Sequence, residues 1–151
     1  MDYDSRPDTN KHIDEVRHKI FEVQQDLQKR YHHHDESKLE SPELEVFNEY
    51  TPKLNNSTYG SDEYKEFLVG MGVGLEHHYE VNDHHPEHFP GGIEDMNLVQ
   101  LIEMLCDWKA ATMRLADGDL ARSIEQNAER FGYGNKMKKL LLNTATYFDW
   151  I

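Results

Sequence analysis

Apolar residues along this chain recur at three- and four-residue steps rather than at two-residue steps. The segment 10–38 contains neither Gly nor Pro. The apolar residues that follow this spacing in it are Ile13, Val16, Ile20, Val23 and Leu27. The pattern predicts an amphipathic helix, because these steps bring the residues onto one helical face.

The rest of the chain contains shorter helical segments that Gly, Pro and Asn residues separate. One is expected to begin with Ser41 as its N-cap and Pro42 at its first helical position, and to end at the loop 55–60. Another is expected to begin at Ser61. Three later segments have helical spacing: 94–118, 121–130 and 134–151.

Three glycines weaken the segment that begins at Ser61, namely Gly70, Gly72 and Gly74. They either allow close helix packing or mark a break. No stretch alternates apolar and polar residues for long enough to predict a strand. The sequence therefore predicts an all-α protein with about five to seven helices in one domain, residues 1–151, of which 1–9 form a flexible N-terminus.

Composition narrows the possible partners. The formal net charge of −13 argues against a nucleic acid polymer or an anionic membrane, because phosphate groups attract clustered Lys and Arg. No apolar run is long enough for a membrane span or a signal peptide, so we expect a cytoplasmic protein. Cys106 is the only cysteine, so a bound metal would need His, Asp and Glu ligands.

Two histidine-rich stretches are the strongest candidates for chemistry. "HHYEVNDHHPEHF", residues 77–89, contains five of the ten histidines, and "HHHDESK", residues 32–38, contains three. The adjacent His34 and Asp35 offer a nitrogen and an oxygen ligand, which suits a divalent cation. Lys38 lies about one helical turn after Asp35, so we expect it to face the same cleft.

A third group lies on the predicted helix 94–118. Glu103, Asp107 and Arg114 fall along one line of that helix, away from its apolar stripe. Asp107 is either a site residue or a surface carboxylate paired with Lys109 or Arg114. The spacing alone leaves both alternatives open.

The order of these groups resembles that of the HD-domain superfamily of metal-dependent phosphohydrolases. The matching positions in chain order are His12, His34 with Asp35, His77 or His78, His84 or His85, and Asp107. The motifs "HDESKLESPE", "HHYEVNDHHPEHF" and "IEMLCDWKAA" are similar to a small uncharacterised HD-like family found in phages and bacteria. The resemblance implies an all-helical fold. It also implies hydrolysis of nucleotide phosphate esters, as in most members, or a mixed-valent di-iron oxygenase, as in a minority.

The resemblance also implies roles for individual residues. The implied metal ligands are His12, His34, Asp35, His78, His85 and Asp107. They would hold one or two divalent transition-metal ions: Mn, Fe, Co, Ni or Zn. His78 is preferred to His77 because it shares a helical face with Asn82. Asp35, Lys38 and His85 are the expected catalytic residues, and Lys38, Asn82 and Arg114 are expected to bind the substrate.

Helix geometry limits this set of ligands. On one continuous helix His12 and His34 would lie about 33 Å apart, because each residue adds about 1.5 Å. They can share an ion only if a turn interrupts the helix near residues 24–29; otherwise His12 is a surface residue. Glu87 and His88 either join the site or only support neighbouring helices.

The function expected from the sequence is that of a metal-dependent phosphohydrolase, with a small phosphorylated compound, foremost a nucleotide, as its substrate. The alternatives are a non-catalytic binder of a nucleotide or signalling molecule with a degenerate HD pocket, the di-iron oxygenase, and an acidic helical protein that binds metal adventitiously. The apolar C-terminal segment 137–151 could dock on the body of the protein or on a second copy, so a homodimer is one option.

Overall fold

The computed structural model describes residues 3–58, 60–114 and 118–151. Within these residues the protein has seven α-helices and no β-strand, which confirms the predicted all-α class. The helices are α1 Arg6–His33, α2 Glu43–Asn55, α3 Asp62–Gly70, α4 Gly72–Val81, α5 Leu98–Thr112, α6 Leu120–Phe131 and α7 Asn135–Tyr147. Three short 3-10 helices span Glu36–Leu39, Pro86–His88 and Gly92–Asp95.

The chain divides into two compact units, Met1–His34 and Asp35–Ile151. The first unit contains α1, which starts four residues before the predicted segment. It continues without interruption to His33, so no turn forms at residues 24–29. None of its residues is buried. The helix ends where the backbone N–H of His34 donates to the carbonyl of Arg30 at 2.8 Å.

The second unit begins with a 3-10 helix, followed by α2. The predicted start of α2 is wrong by one position, since Pro42 is the cap residue and Glu43 is the first helical residue. Ser41, expected to be the N-cap, precedes Pro42 through a cis peptide bond. The consequence is that Glu43 lies at the N-terminus of α2, and its side chain is completely buried.

The glycine-containing segment forms two helices rather than one. Ser61 caps α3 as predicted, accepting a hydrogen bond from the backbone N–H of Tyr64 at 3.1 Å. The break between α3 and α4 falls at the buried Met71. Of the two roles left open for the glycines, both occur. Gly70 ends α3, and Gly74 lies so close to α2 that an added Cβ would come within 2.8 Å of Val46 Cβ.

Helices α5, α6 and α7 form the hydrophobic core of the second unit. The buried core residues are Ile93, Met96, Leu101, Met104, Leu105, Leu120, Ile124, Tyr133, Leu141 and Ala145. Helix α5 begins with a capping box, in which Asn97 and Gln100 each bond the backbone N–H of the other. It ends at Thr112, earlier than the expected end near Gly118, and residues 115–117 lie outside the described part of the chain.

Candidate metal centre

Four side chains of the second unit bring metal-ligand atoms together. Among the described residues, Asp35, His78, His84 and His85 each offer one such atom, and these atoms lie within 4.8 Å of one another. His78 and His84 are almost completely buried, at 1% and 2% exposure. One carboxylate and three imidazoles in such a cluster could hold a divalent metal ion.

Asp35 reaches the cluster from the turn that precedes the first 3-10 helix. Its backbone has a φ of 56°, in the left-handed region, which costs a residue other than glycine about 1 kcal/mol. Its Oδ2 atom contacts Lys38 Nζ at 2.5 Å. Its Oδ1 atom lies 3.5 Å from His78 Nε2 and 3.4 Å from His84 Nε2. Lys38 thus fixes one carboxylate oxygen while the other faces the imidazoles.

Glu43 orients His78 through Nδ1, the ring nitrogen that does not face the cluster. His78 Nδ1 lies 2.9 Å from Glu43 Oε2, and His77 Nδ1 lies 2.7 Å from Glu43 Oε1. Burial raises the pKa of Glu43, but hydrogen bonds with His77, Ser37 and His78 outweigh burial and hold it below its usual value. The ionised carboxylate can only accept, so Nδ1 of His78 carries the proton and its Nε2 lone pair faces the cluster.

Two polar side chains complete the support around Glu43. Ser37 Oγ donates to Glu43 Oε2 at 3.0 Å. Asn82 Nδ2 donates both to Ser37 Oγ at 2.8 Å and to the carbonyl of His78 at 2.9 Å. Both amide hydrogens of Asn82 are therefore used within the protein, and its side chain holds the His78 network together.

His84 and His85 come from the loop after α4. His85 Nε2 lies 2.9 Å from His78 Nε2. Burial, followed by the neighbouring His84 and His78, lowers the pKa of His85 to about 3. Burial and the charge of Lys38 lower the pKa of His78. Both imidazoles are therefore neutral near pH 7, the form that binds metals. Two such nitrogens at 2.9 Å require a proton or a cation between them.

The start of α5 anchors this loop. Gln100 Nε2 donates to Asp83 Oδ2 at 2.7 Å, while Gln100 Oε1 accepts from the backbone N–H of Asn97 at 2.8 Å. Gln100 is buried, so both ends of its amide are satisfied away from solvent. The residue after Asp83 is His84, and the capping box therefore positions the imidazoles as well as starting α5.

Helix α5 adds two carboxylates beside the four clustered side chains. Glu103 Oε1 lies 3.4 Å from His84 Nδ1. The charge of Asp107 acts on His85, where it opposes the lowering of the pKa. Glu103 and Asp107 are four residues apart, which places both on one face of the helix. The second unit therefore surrounds the imidazoles with negative charge.

A model of a family of unknown function, DUF5662, matches residues 1–148. The chain belongs to the DUF5662 family. No curated protein and no solved structure matches it. Across the described residues, this DUF5662 protein has no helix with the length and apolar character needed to span a membrane.

Three further residues singled out from the sequence are exposed in the DUF5662 chain. His12 is an exposed residue in the middle of the first unit, and His34 is the exposed last residue of that unit. Because α1 is continuous, these two residues are about 33 Å apart along one helix, so they cannot bind the same ion within one chain. Arg114 is exposed in the turn after α5.

Glu87 and His88 support neighbouring elements, which was the simpler of their two expected roles. Glu87 Oε1 accepts from Arg130 Nη2 on α6 at 2.7 Å. His88 Nδ1 donates to the carbonyl of Tyr79 at 2.9 Å. The loop of this DUF5662 protein therefore uses His84 and His85 for the cluster and the two later residues to hold the loop in place.

Sequence reasoning named Asp35, His78 and His85 but missed Glu43. Glu43 lies 34 residues before His77, and a carboxylate after a proline at a helix start is ordinarily a surface residue that favours the helix dipole. No spacing in the sequence of the DUF5662 chain signals this contact. His84 was left as an alternative to His85, whereas the fold brings both together.

Proposed function

We propose that this DUF5662 protein is a metal-dependent hydrolase that acts on a small phosphorylated compound, foremost a nucleotide. The observation that carries the proposal is the convergence of three imidazoles with Asp35 in a mostly buried cluster. The resemblance of the motifs around Asp35, His78 and Asp107 to HD-domain phosphohydrolases supports the same reaction class.

The donor set fits a divalent transition metal. His78 and His85 are held neutral by burial, and Glu43 fixes the tautomer of His78 so that a lone pair faces the cluster. Three nitrogens and one carboxylate oxygen favour Mn, Fe, Co, Ni or Zn over Ca, which prefers oxygen ligands. The neighbouring carboxylates of Glu103 and Asp107 would accommodate the charge of a second ion.

A divalent ion held there would supply a Lewis acid and lower the pKa of a bound water toward neutrality. In addition to the metal ion, the side chain of Lys38 would supply a positive charge to the site. Its ammonium group contacts Asp35 Oδ2 at 2.5 Å and lies 5.0 Å from the centre of the Phe47 ring, and about a third of its side chain is exposed. In our proposal this exposed part binds a phosphoryl oxygen of the substrate.

The electrostatics change the role first expected for His85. A general acid at neutral pH needs a pKa near that pH, whereas burial and two neighbouring imidazoles lower the pKa of His85 to about 3. We therefore assign His85 as a metal ligand rather than as the proton donor to the leaving group. Asp35 is likewise proposed as a ligand, with Lys38 as the residue that contacts the substrate.

The experiment compares His78→Ala with His88→Ala. Both variants remove one imidazole from the same stretch, but only His78 reaches the cluster, because His88 contacts the carbonyl of Tyr79. Each untagged protein is reconstituted with Mn, Fe, Co, Ni or Zn, analysed for its metal content, and assayed for phosphate release from nucleotides and other small phosphate esters. We expect metal-dependent phosphate release from the native protein and from His88→Ala, and loss of both metal and activity in His78→Ala.

Three results would contradict the proposal in distinguishable ways. A native protein without metal after reconstitution, yet with nucleotide binding, would support the non-catalytic binder. Bound iron with a visible absorption band and no phosphate release would support the oxygenase. Equal metal loss in both histidine variants would indicate adventitious binding to surface imidazoles.

A further inference from the structure

The apolar face of α1 is the most extensive feature that the metal centre leaves unexplained. Val16, Ile20 and Val23 are 42%, 54% and 45% exposed, and no residue of the helix is buried. The helix has 28 residues, so it is about 42 Å long, and most of its residues are polar or charged. A single apolar stripe on such a helix gains stability only when another surface covers it.

The spacing of the stripe identifies the kind of surface that covers it. Ile13, Val16, Ile20, Val23 and Leu27 follow alternating steps of three and four residues. This is the a/d repeat of a two-stranded coiled coil, in which each stripe packs against another helix with the same repeat. We propose that the occupant is α1 of a second copy of this chain, arranged antiparallel, so that the protein is a homodimer through its first unit.

Charge permits this pairing despite the acidity of the protein. Residues 1–34 contain seven acidic and six basic residues, so this unit carries only −1 of the net charge of −13. Two second units would repel one another, whereas two copies of α1 would not. The self-association is therefore assigned to α1 rather than to the acidic remainder of the chain.

The flanking residues favour the antiparallel direction. With Ile20 of one copy aligned with Val23 of the other, Lys19 of each copy lies beside Asp26 of the other, twice by symmetry. In a parallel pair the flanking positions would place Lys19 beside Gln24, with no opposite charges. Val at the d positions also departs from the Leu that parallel dimers prefer there.

Within one chain these two charged residues contact their own helix. Lys19 Nζ lies 2.8 Å from Glu22, and Asp26 lies 3.0 Å from Arg30 Nε. The pair of Lys19 with Glu22 is exposed, where such contacts contribute little, whereas the side chain of Arg30 is only 18% exposed and that of Asp26 is about half exposed. Lys19 and Asp26 each have further donor or acceptor capacity. They are therefore compatible with a second contact across the dimer.

Analytical ultracentrifugation of the full chain over a range of concentrations tests the dimer. Ile20→Asp places a charge in the seam, and Gln25→Asp adds the same charge on the opposite, exposed face of α1. We expect a dimer for the native chain and for Gln25→Asp. We expect Ile20→Asp to weaken association at least about tenfold, since each copy loses one buried isoleucine.

Charge reversal tests the orientation without altering the apolar seam. Lys19→Glu alone and Asp26→Lys alone should each weaken the dimer, because each places like charges together twice. The double variant should restore it. Failure of the double variant to restore association would overturn the antiparallel arrangement.

The remaining outcomes would overturn the dimer itself. A native chain that is monomeric at all concentrations, with a lower melting temperature in Ile20→Asp, would show that α1 packs within its own chain. A dimer that survives Ile20→Asp would place the interface elsewhere, for example at the apolar C-terminal segment. Circular dichroism of each variant checks that the helical content is retained. We expect the second unit to remain folded, because it has a hydrophobic core of its own.

Discussion

At the scale of single residues, Glu43 links the start of α2 to the histidines of α4. Its two oxygens contact His77 and His78 separately, and it is completely buried. The helix N-terminus favours its negative charge, and the charge in turn fixes which nitrogen of His78 carries the proton. A residue that never touches the proposed ion can therefore control how well the ion is bound.

Glu43→Gln keeps the size of this side chain and removes its charge. The amide oxygen can still accept one hydrogen bond, but the NH2 group now faces a donor, and the orientation of His78 is no longer fixed. We expect metal affinity to fall about 10- to 100-fold. Competition with a fluorescent chelator measures the metal affinity. The control variant His77→Gln disturbs only the contact with Glu43 Oε1, so it should lower the affinity less. Unchanged affinity in Glu43→Gln would rule out this role.

Tyr133 offers a test of the core that is independent of metal. Its hydroxyl donates to the carbonyl of Ile124 at 2.5 Å. Burial, followed by the charge of Glu125, raises the pKa of Tyr133 in the folded protein. Its contribution to stability is therefore present below the ordinary tyrosine pKa of about 10 and is lost as the pH rises above that value.

Tyr133→Phe removes both the hydrogen bond and the ionisable group. We expect it to lower the free energy of unfolding by about 1 kcal/mol near pH 7. Above about pH 10 the difference between the native protein and the variant should shrink, because only the native tyrosine ionises on unfolding. Urea unfolding of both proteins between pH 7 and pH 11 measures the difference. A constant difference over this range would contradict the assignment.

At the scale of elements, helical periodicity predicted the helices well because amphipathic faces are local in sequence. The segments beginning at Ser61 and at residue 121 correspond to α3 and α6, and a break, one of the two roles left open for the glycines, occurs between α3 and α4. The cluster was less predictable, since its partners are far apart in the chain. Glu43 and His78 meet only because α2 packs against α4, and no local pattern specifies that pairing.

Gly74 makes this packing possible, and Gly72 provides its control. An added Cβ at Gly74 would come within 2.8 Å of Val46 Cβ, whereas one at Gly72 would meet nothing within 4 Å. We expect Gly74→Ala to destabilise the protein by about 1–3 kcal/mol through overpacking. We expect Gly72→Ala to be neutral or to stabilise by up to about 1 kcal/mol, since alanine favours the helix.

Urea unfolding of both glycine variants measures these changes, and metal titration shows whether the site moves with the helices. Gly74→Ala would push α4, which carries His78, away from α2, which carries Glu43. The metal affinity of this variant should therefore fall as well. The double variant Gly74→Ala with Val46→Ala removes the two Cγ atoms of Val46 that would also lie within 3.0 Å of the added Cβ, so it should recover part of both losses. Equal stability of the two single variants would show that α2 and α4 do not pack this closely.

At the scale of the whole molecule, negative charge is concentrated in the second unit. Of the net charge of −13, the residues after His34 carry −12. The proposed ion site lies within this acidic unit, so the field of the protein attracts divalent cations and repels a phosphorylated substrate. The bound metal and Lys38 would then have to supply the local attraction for the substrate.

The same charge predicts how stability depends on salt. Raising the ionic strength from about 0.01 M to about 0.1 M shortens the screening length from about 30 Å to about 10 Å. Repulsion among the surplus carboxylates then weakens, and we expect the free energy of unfolding to rise when chelator keeps divalent ions absent. Glu129→Lys should reduce this rise, because it makes the net charge less negative and replaces a like-charge pair with Glu125, four residues earlier on α6, by an attractive one. Arg122→Gln on the same helix removes a positive charge and should increase the rise.

Thermal unfolding at the two ionic strengths measures the stability of all three proteins. A decrease in stability with salt would mean that local ion pairs, rather than the net charge, govern the electrostatics of the fold.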